Sequence, residues 1–234
     1  MKLLTESNQK IKKGEKLGFH TVGLHLAPAT LAGHGINTCY WASHGCREAC
    51  LNTSGHGAFS TVQESRIRKT HFFWFSRQAF LTQLIKEIQA AKKKAHKLGL
   101  TLAVRLNLTS DVMWETITDD SGKTIFQHFP ETVFYDYTKS AKRMENFLSG
   151  NFPRNYSLTF SRSESNAREV EKISRAGGNV AIVFRGKLPS EWNGKKVISG
   201  DESDARFIDP KGVIVGLTQK GRAKHDATGF VLSA

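Results

Sequence analysis

Three residues in this chain have both the type and the spacing to do chemistry: Cys39, Cys46 and Cys50, its only cysteines, arranged as Cys39-x6-Cys46-x3-Cys50. A disulfide framework would use an even number of cysteines spread along the chain, so an odd, tightly clustered set points to a metal. Thiolates are soft donors, and three from one loop can hold three irons of a [4Fe–4S] cube while leaving the fourth iron open. Zinc is the rival reading, because His34, His44 or His56 could complete a Cys3His tetrahedron. Unliganded thiols are the third. The spacing alone leaves all three standing.

A second group of candidates lies where apolar runs give way to hydroxyls and charges. Thr109, Ser110 and Asp111 follow one such run, Thr138, Lys139 and Ser140 the next, and Ser161, Arg162, Ser163 and Glu164 a third. Arg185, Lys187, Asp201, Glu202 and Asp204 come later. If the runs are parallel strands, all of these groups share one rim, where sites of such folds are built. Taken singly, each also reads as a helix cap.

The elements that would position them alternate. Gly18–Pro28 reads as a first strand, and Ala29–Gly57 as a long loop with at most short helical turns, a length that usually marks function. Apolar residues at three- and four-residue spacing predict one helix from about Ser60 to Leu98, closed by Gly99. Further strands are predicted at Thr101–Leu108, Thr132–Tyr137, Tyr156–Phe160 and Asn179–Phe184, with two short ones at Val197–Ser199 and Val213–Leu217. Helices are predicted at Ser140–Leu148 and from Ser163 to about Ala176, the latter with Ser163, Glu164 and Ser165 as cap and first-turn residues. Alternation of this kind predicts an α/β fold with parallel pairing, as a doubly wound sheet or a partial or complete (β/α) barrel. No G-x-G-x-x-G follows the first strand, which lowers the dinucleotide-binding option.

With 234 residues and 39% hydrophobic content, the chain suits a single domain over residues 1–234. No apolar run is long enough to span a membrane, and the polar stretch Met1–Lys16 lacks the apolar core of a signal peptide, so a cytoplasmic location without membrane contact is expected. The net charge of +13 would favour an anionic partner such as nucleic acid. The run Lys92-Lys93-Lys94 reads first as the solvated face of a helix.

A cysteine triad in the loop after the first strand of an α/β barrel resembles the radical S-adenosylmethionine (SAM) enzymes, a TIM-barrel-related superfamily. The more local resemblance is to a phage-encoded group, the mycobacteriophage gene 88 protein family. It rests on the early cysteine loop, the strand end Arg105-Leu106-Asn107-Leu108-Thr109-Ser110-Asp111, the Tyr137-Thr138-Lys139 sequence, and the tail Asp201–Gly221 with Asp209-Pro-x-Gly212 and Lys220-Gly221. The resemblance implies Cys39, Cys46 and Cys50 as iron ligands, with SAM chelating the open iron. It implies Ser110 and Asp111 near the SAM amino group, and the period-two strand pattern puts Asn107 on the same face as Asp111 beside them. Under an enzyme reading Tyr137, Lys139 and Arg162 are the candidate substrate contacts, each equally readable as a structural rim residue. An electron donor and, for a phage product, the host cytoplasm follow from the resemblance. A redox-sensing or nucleic-acid-binding cluster protein without turnover is the alternative, and a structural zinc protein a further one.

Overall fold

A computed structural model describes residues 1–6 and 13–233. The polar N-terminal reading therefore lies partly outside the described residues, at 7–12. The strands are β1 (Leu4–Thr5), β2 (Phe19–Leu24), β3 (Thr101–Arg105), β4 (Val133–Thr138), β5 (Tyr156–Ser161), β6 (Val180–Arg185), β7 (Glu191–Trp192), β8 (Lys195–Ser199), β9 (Ile214–Thr218) and β10 (Val231–Ser233). The helices are α1 (His44–Glu48), α2 (Ser60–Phe75), α3 (Arg77–Lys97), α4 (Ile125–His128), α5 (Ala141–Leu148) and α6 (Ala167–Arg175).

Ten strands form a mixed but mostly parallel sheet in the order β1-β2-β3-β4-β5-β6-β9-β8-β7, with β10 added against β6. The run from β2 to β6 is sequential and parallel, as right-handed helical crossovers produce. The sheet is open, so the expected complete barrel does not form. Two features end it: β9 inserts between β6 and β8, and short antiparallel strands, β1 on β2 and β7 on β8, occupy the two edges. Short edge strands leave little ladder for further pairing.

One face of the sheet carries the main core. Val22, Leu24, Leu102, Val104, Phe134, Leu158, Phe160, Val180 and Ile182 are buried there with Phe80, Leu84 and Ile88 of α3 and Val170 and Ile173 of α6. The period-two alternation of the strands puts their polar residues on the other face. There Arg105 donates from Nη1 to both oxygens of Asp204 (3.0 and 2.8 Å), and Tyr135 donates its hydroxyl to the same carboxylate (3.2 Å). Phe207 closes over this face, its ring 4.7 Å from Phe19 and 5.2 Å from Tyr135. The tail segment around Asp204–Asp209, with its short 3-10 turn at Arg206–Ile208, thus covers this polar surface.

The helix predicted over Ser60–Leu98 is two helices, broken at Ser76 (φ −139°, ψ 52°). The break lets Phe80 fold back on Phe73 (ring centroids 5.2 Å apart), and both rings meet the buried Trp114. Arg77 caps the released end by donating from Nε to the Phe73 carbonyl (2.8 Å). Aromatic packing here outweighs continuous helical periodicity. Gly99 ends the second helix at φ +67°, a conformation that favours glycine. The lysine run lies exposed on α3, where Lys94 pairs with Glu6 and Lys92 with Glu131 (3.3 Å). No described helix is long and apolar enough to cross a membrane.

Candidate metal centre

The three cysteines reach the C-terminal end of the sheet from three separately anchored points of one loop. Cys39 follows Thr38, whose hydroxyl donates to the Ala27 carbonyl (2.6 Å) and whose own carbonyl accepts from Asp111 N–H (2.8 Å). This staples the start of the loop to the ends of β2 and β3. Cys46 sits on α1, which Ser43 caps, its hydroxyl oxygen accepting from Cys46 N–H (3.2 Å). Cys50 precedes Asn52, a buried residue gripped by α2: Asn52 Nδ2 donates to Gln63 (2.7 Å), and Arg66 donates to the Asn52 carbonyl (2.9 Å) and to its side-chain oxygen.

α1 itself is pinned from across the molecule. Glu164 accepts from Ser43 Oγ (2.8 Å) and Gly45 N–H (2.7 Å). A side chain at Gly45 would run into Thr228, Glu164 and Phe230, so only glycine lets the helix approach this closely. The helix predicted from Ser163 therefore begins later, at Ala167, because Glu164 is drawn to the cysteine loop and Ser163 N–H is tied to Asn166 Oδ1 (2.7 Å).

The Cys39 and Cys50 sulfurs have long hydrogen-bond contacts. Cys39 Sγ lies 3.6 Å from the Thr109 carbonyl and 3.9 Å from Thr38 Oγ1, and Asn52 N–H points at Cys50 Sγ over 3.5 Å. Cys46 packs with Ala49, Ala223, Phe230 and Val231. The thiols are close enough to feel one another: Cys39 and Cys50 couple electrostatically, as do Cys50 and Cys46. Burial pushes the Cys39 thiol up to about 11 and raises Cys50 as well. Among the described residues no group of three or more His, Cys, Asp or Glu side chains is disposed to hold a single metal ion. His34 is engaged with His71 (rings 5.3 Å apart) and Phe75 (5.9 Å), and His56 lies against Phe59 (5.6 Å).

Lys139 joins this group. Burial works against its ammonium, yet the facing Cys46 thiol, to which it hydrogen-bonds, and the Asp111 carboxylate hold its pKa above the ordinary lysine value. Its Nζ also lies 5.5 Å from the centroid of Phe230. Asp111 sets the lysine's place by accepting from Lys139 N–H (2.9 Å) and Thr138 Oγ1 (3.2 Å), while its other oxygen takes Arg143 (2.6 Å). Both of its oxygens thus face protein donors.

Asn107 and Ser110 are equally committed. The Asn107 side chain oxygen accepts from Ser110 Oγ (2.8 Å), Val112 N–H (2.9 Å) and Trp114 Nε1 (3.2 Å), and its amide donates to the Val112 carbonyl (3.0 Å). Below them Asp136 accepts from Asn107 N–H (2.8 Å) and Tyr156 (2.8 Å), and burial carries its pKa to about 7. Tyr137 lies on the polar face under the Arg105 guanidinium (4.7 Å), its buried hydroxyl without a hydrogen-bond partner among the described residues. Arg162 reaches the other way, donating to the carbonyls of Gly229 (2.6 Å) and Phe230 (2.9 Å). It thereby straps down the segment leading into β10, which pairs with β6 beyond the point where β5 leaves that edge.

The structure thus brings Cys39, Cys46, Cys50, Lys139 and Asp111 together, places Asn107 and Ser110 in the supporting network behind them, and sets Tyr137 and Arg162 apart. Glu164, Arg66, Asn52 and Phe230 were not singled out as site residues from sequence. Only Glu164 carried a signal, as part of the polar cluster after the fourth predicted strand.

A family model described as Gene product 88 matches residues 2–234. No curated protein and no solved structure matches the chain. The chain belongs to the Gene product 88 family, in keeping with the gene 88 resemblance drawn from its motifs; the match carries no statement about iron or SAM.

Proposed function

For this member of the Gene product 88 family we propose that Cys39, Cys46 and Cys50 bind a [4Fe–4S] cluster at the rim of a radical-SAM-like partial barrel, leaving one iron open. The feature that carries the reading is one loop that brings three cysteines to the rim: Cys39 Sγ lies 3.6 Å from the Thr109 carbonyl, Cys50 Sγ 3.5 Å from Asn52 N–H, and Cys46 packs on Phe230, whose ring also faces Lys139 at 5.5 Å. Soft, unsatisfied sulfur donors suit iron–sulfur chemistry. A cubane separates its cysteine ligands by several ångströms, whereas zinc needs all four donors around one point. The packing of His34 and His56 against other rings favours the cluster over a Cys3His zinc site that uses either of them. Buried, reduced thiols also suit a cytoplasmic protein.

Bound there, the cluster would supply an electron to a ligand chelated at its open iron, for which SAM is the proposed candidate. The protein's own part is positional. Lys139 would offset the negative charge of the thiolates, Asp111 and Arg143 would hold Lys139 in place, and Glu164 would keep α1 and Cys46 at the rim. Because Arg143, Thr138 and the Lys139 amide already face Asp111, its role in this reading is to hold Lys139 rather than to take the SAM ammonium. Tyr137 and Arg162 remain the proposed substrate-side residues, the first through its unpartnered hydroxyl.

The test of turnover is anaerobic reconstitution, reduction with dithionite and an assay for 5′-deoxyadenosine from SAM. Product that depends on all three cysteines supports radical chemistry. An intact cluster with no product removes SAM cleavage and leaves a cluster protein of the redox-sensing kind.

A further inference from the structure

A cleft of about 550 Å³ opens between Trp41 of the cysteine loop, the segment after β3 and the α5 region. Its volume falls within the range of small-ligand sites. We propose that this cleft binds a phosphorylated nucleoside, with the base between Trp41 and Phe152 and the phosphate at Lys142. As the substrate class of the thiol site, this assignment rests on the proposed cluster; as a binding site, it stands on the following geometry.

The apolar part of the lining is Trp41, Met113, Phe152 and Pro153. Met113 is 40% exposed although it is a large apolar side chain, so the wall is open to a ligand. Trp and Phe faces accept any nucleobase by stacking. The polar part divides into committed and free groups. Glu115 and Arg143 neutralise each other through a bidentate pair (2.7 and 2.8 Å), and Ser140 caps α5. By contrast, the Trp41 indole N–H and the Asn146 side-chain amide have no hydrogen-bond partner among the described residues, and Lys142 is exposed. These are the donors and the acceptor needed for a base edge and a phosphate.

Charge favours the same ligand. Arg143 is spent on Glu115 and Asp111, which leaves the exposed Lys142 as the cation of the lining outside that pairing, on a chain of net charge +13. A neutral or cationic ligand would gain nothing from that field. The cleft also adjoins the reactive corner through the chain itself, since Trp41 is two residues from Cys39 and Ser140 follows Lys139.

The experiment measures binding of thymidine monophosphate and of a fluorescein-labelled oligodeoxythymidylate to full-length protein, with and without reconstituted iron, by tryptophan quenching and fluorescence anisotropy. The expected result is binding that weakens with salt and falls about tenfold in both Trp41→Ala and Lys142→Glu. Trp41→Phe should retain it, and Lys92→Gln with Lys93→Gln should leave it unchanged. Binding of both probes identifies a free nucleotide as sufficient; binding of the oligomer alone assigns the site to a strand. No binding of either probe, or binding unaffected by Trp41→Ala and Lys142→Glu, overturns the proposal. Iron analysis of the same samples separates the two readings: nucleotide binding without iron leaves this site standing if the cluster fails, and iron-loaded protein that ignores both probes removes only this site.

Discussion

Around Asp111 both carboxylate oxygens have partners between 2.6 and 3.2 Å, whereas the Cys39 and Cys50 sulfurs meet backbone and hydroxyl groups at 3.5 to 3.9 Å and Cys46 faces the Lys139 ammonium. The two groups share one rim and are joined by Lys139, whose amide serves the first and whose ammonium serves the second. A buried charge that is fully hydrogen-bonded supports the structure, because any missing partner leaves an uncompensated charge behind. Soft thiols with weak contacts give up little when a metal takes them. The contrast separates the residues that hold the site from those that would perform its chemistry.

The comparison is broken most severely at Asp111. Asp111→Ala removes one of the two carboxylates on the buried Arg143 guanidinium and the acceptor of the Lys139 amide, while Glu115 stays on Arg143, so thermal or urea unfolding should report a loss of about 2–3 kcal/mol. A loss under about 1 kcal/mol would show that Asp111 is no structural anchor. Arg162→Ala removes two bonds to the Gly229 and Phe230 carbonyls and should cost about 1–2 kcal/mol, with faster hydrogen exchange confined to the β10 segment. Unchanged exchange there would contradict the strap.

A separate test lies in pH dependence. Asp136 has a native pKa near 7 against about 3.9 in an unfolded chain, so the native state binds its proton more tightly. Its contribution to stability is fully present below the unfolded value and is lost as pH rises through about 7. Asp136→Asn should flatten the stability profile between about pH 4 and pH 7, and an unaltered slope would reject the shift.

The difference between the two groups also explains what the sequence disclosed. The cysteine triad and the strand-end clusters were legible because they are local: Cys39 to Cys50 is one short segment, and Arg105 to Asp111 runs off one strand. The strand order from β2 to β6 followed from alternation for the same reason. The clamps were not legible, since Glu164 reaches Gly45 across 119 residues and Arg162 reaches Phe230 across 68. Nothing in local pattern encodes such pairs. The break at Ser76 was hidden because Phe72, Phe73 and Phe80 satisfy helical spacing whether or not the helix continues. Closure of the sheet was overestimated because the order of β8 and β9 and the two antiparallel edges depend on contacts that periodicity does not carry.

The most direct test of the proposed metal centre is iron and sulfide content, with a visible spectrum, for anaerobically reconstituted protein and its Cys39→Ser, Cys46→Ser and Cys50→Ser variants. The account predicts about four irons and four sulfides per chain, a brown colour that bleaches on reduction, and loss of the cluster in each variant while the unfolding midpoint hardly moves. Since Cys39 must lose a proton held at about 11, loading should also improve as pH is raised. A colourless protein, or iron retained in all three variants, would contradict it.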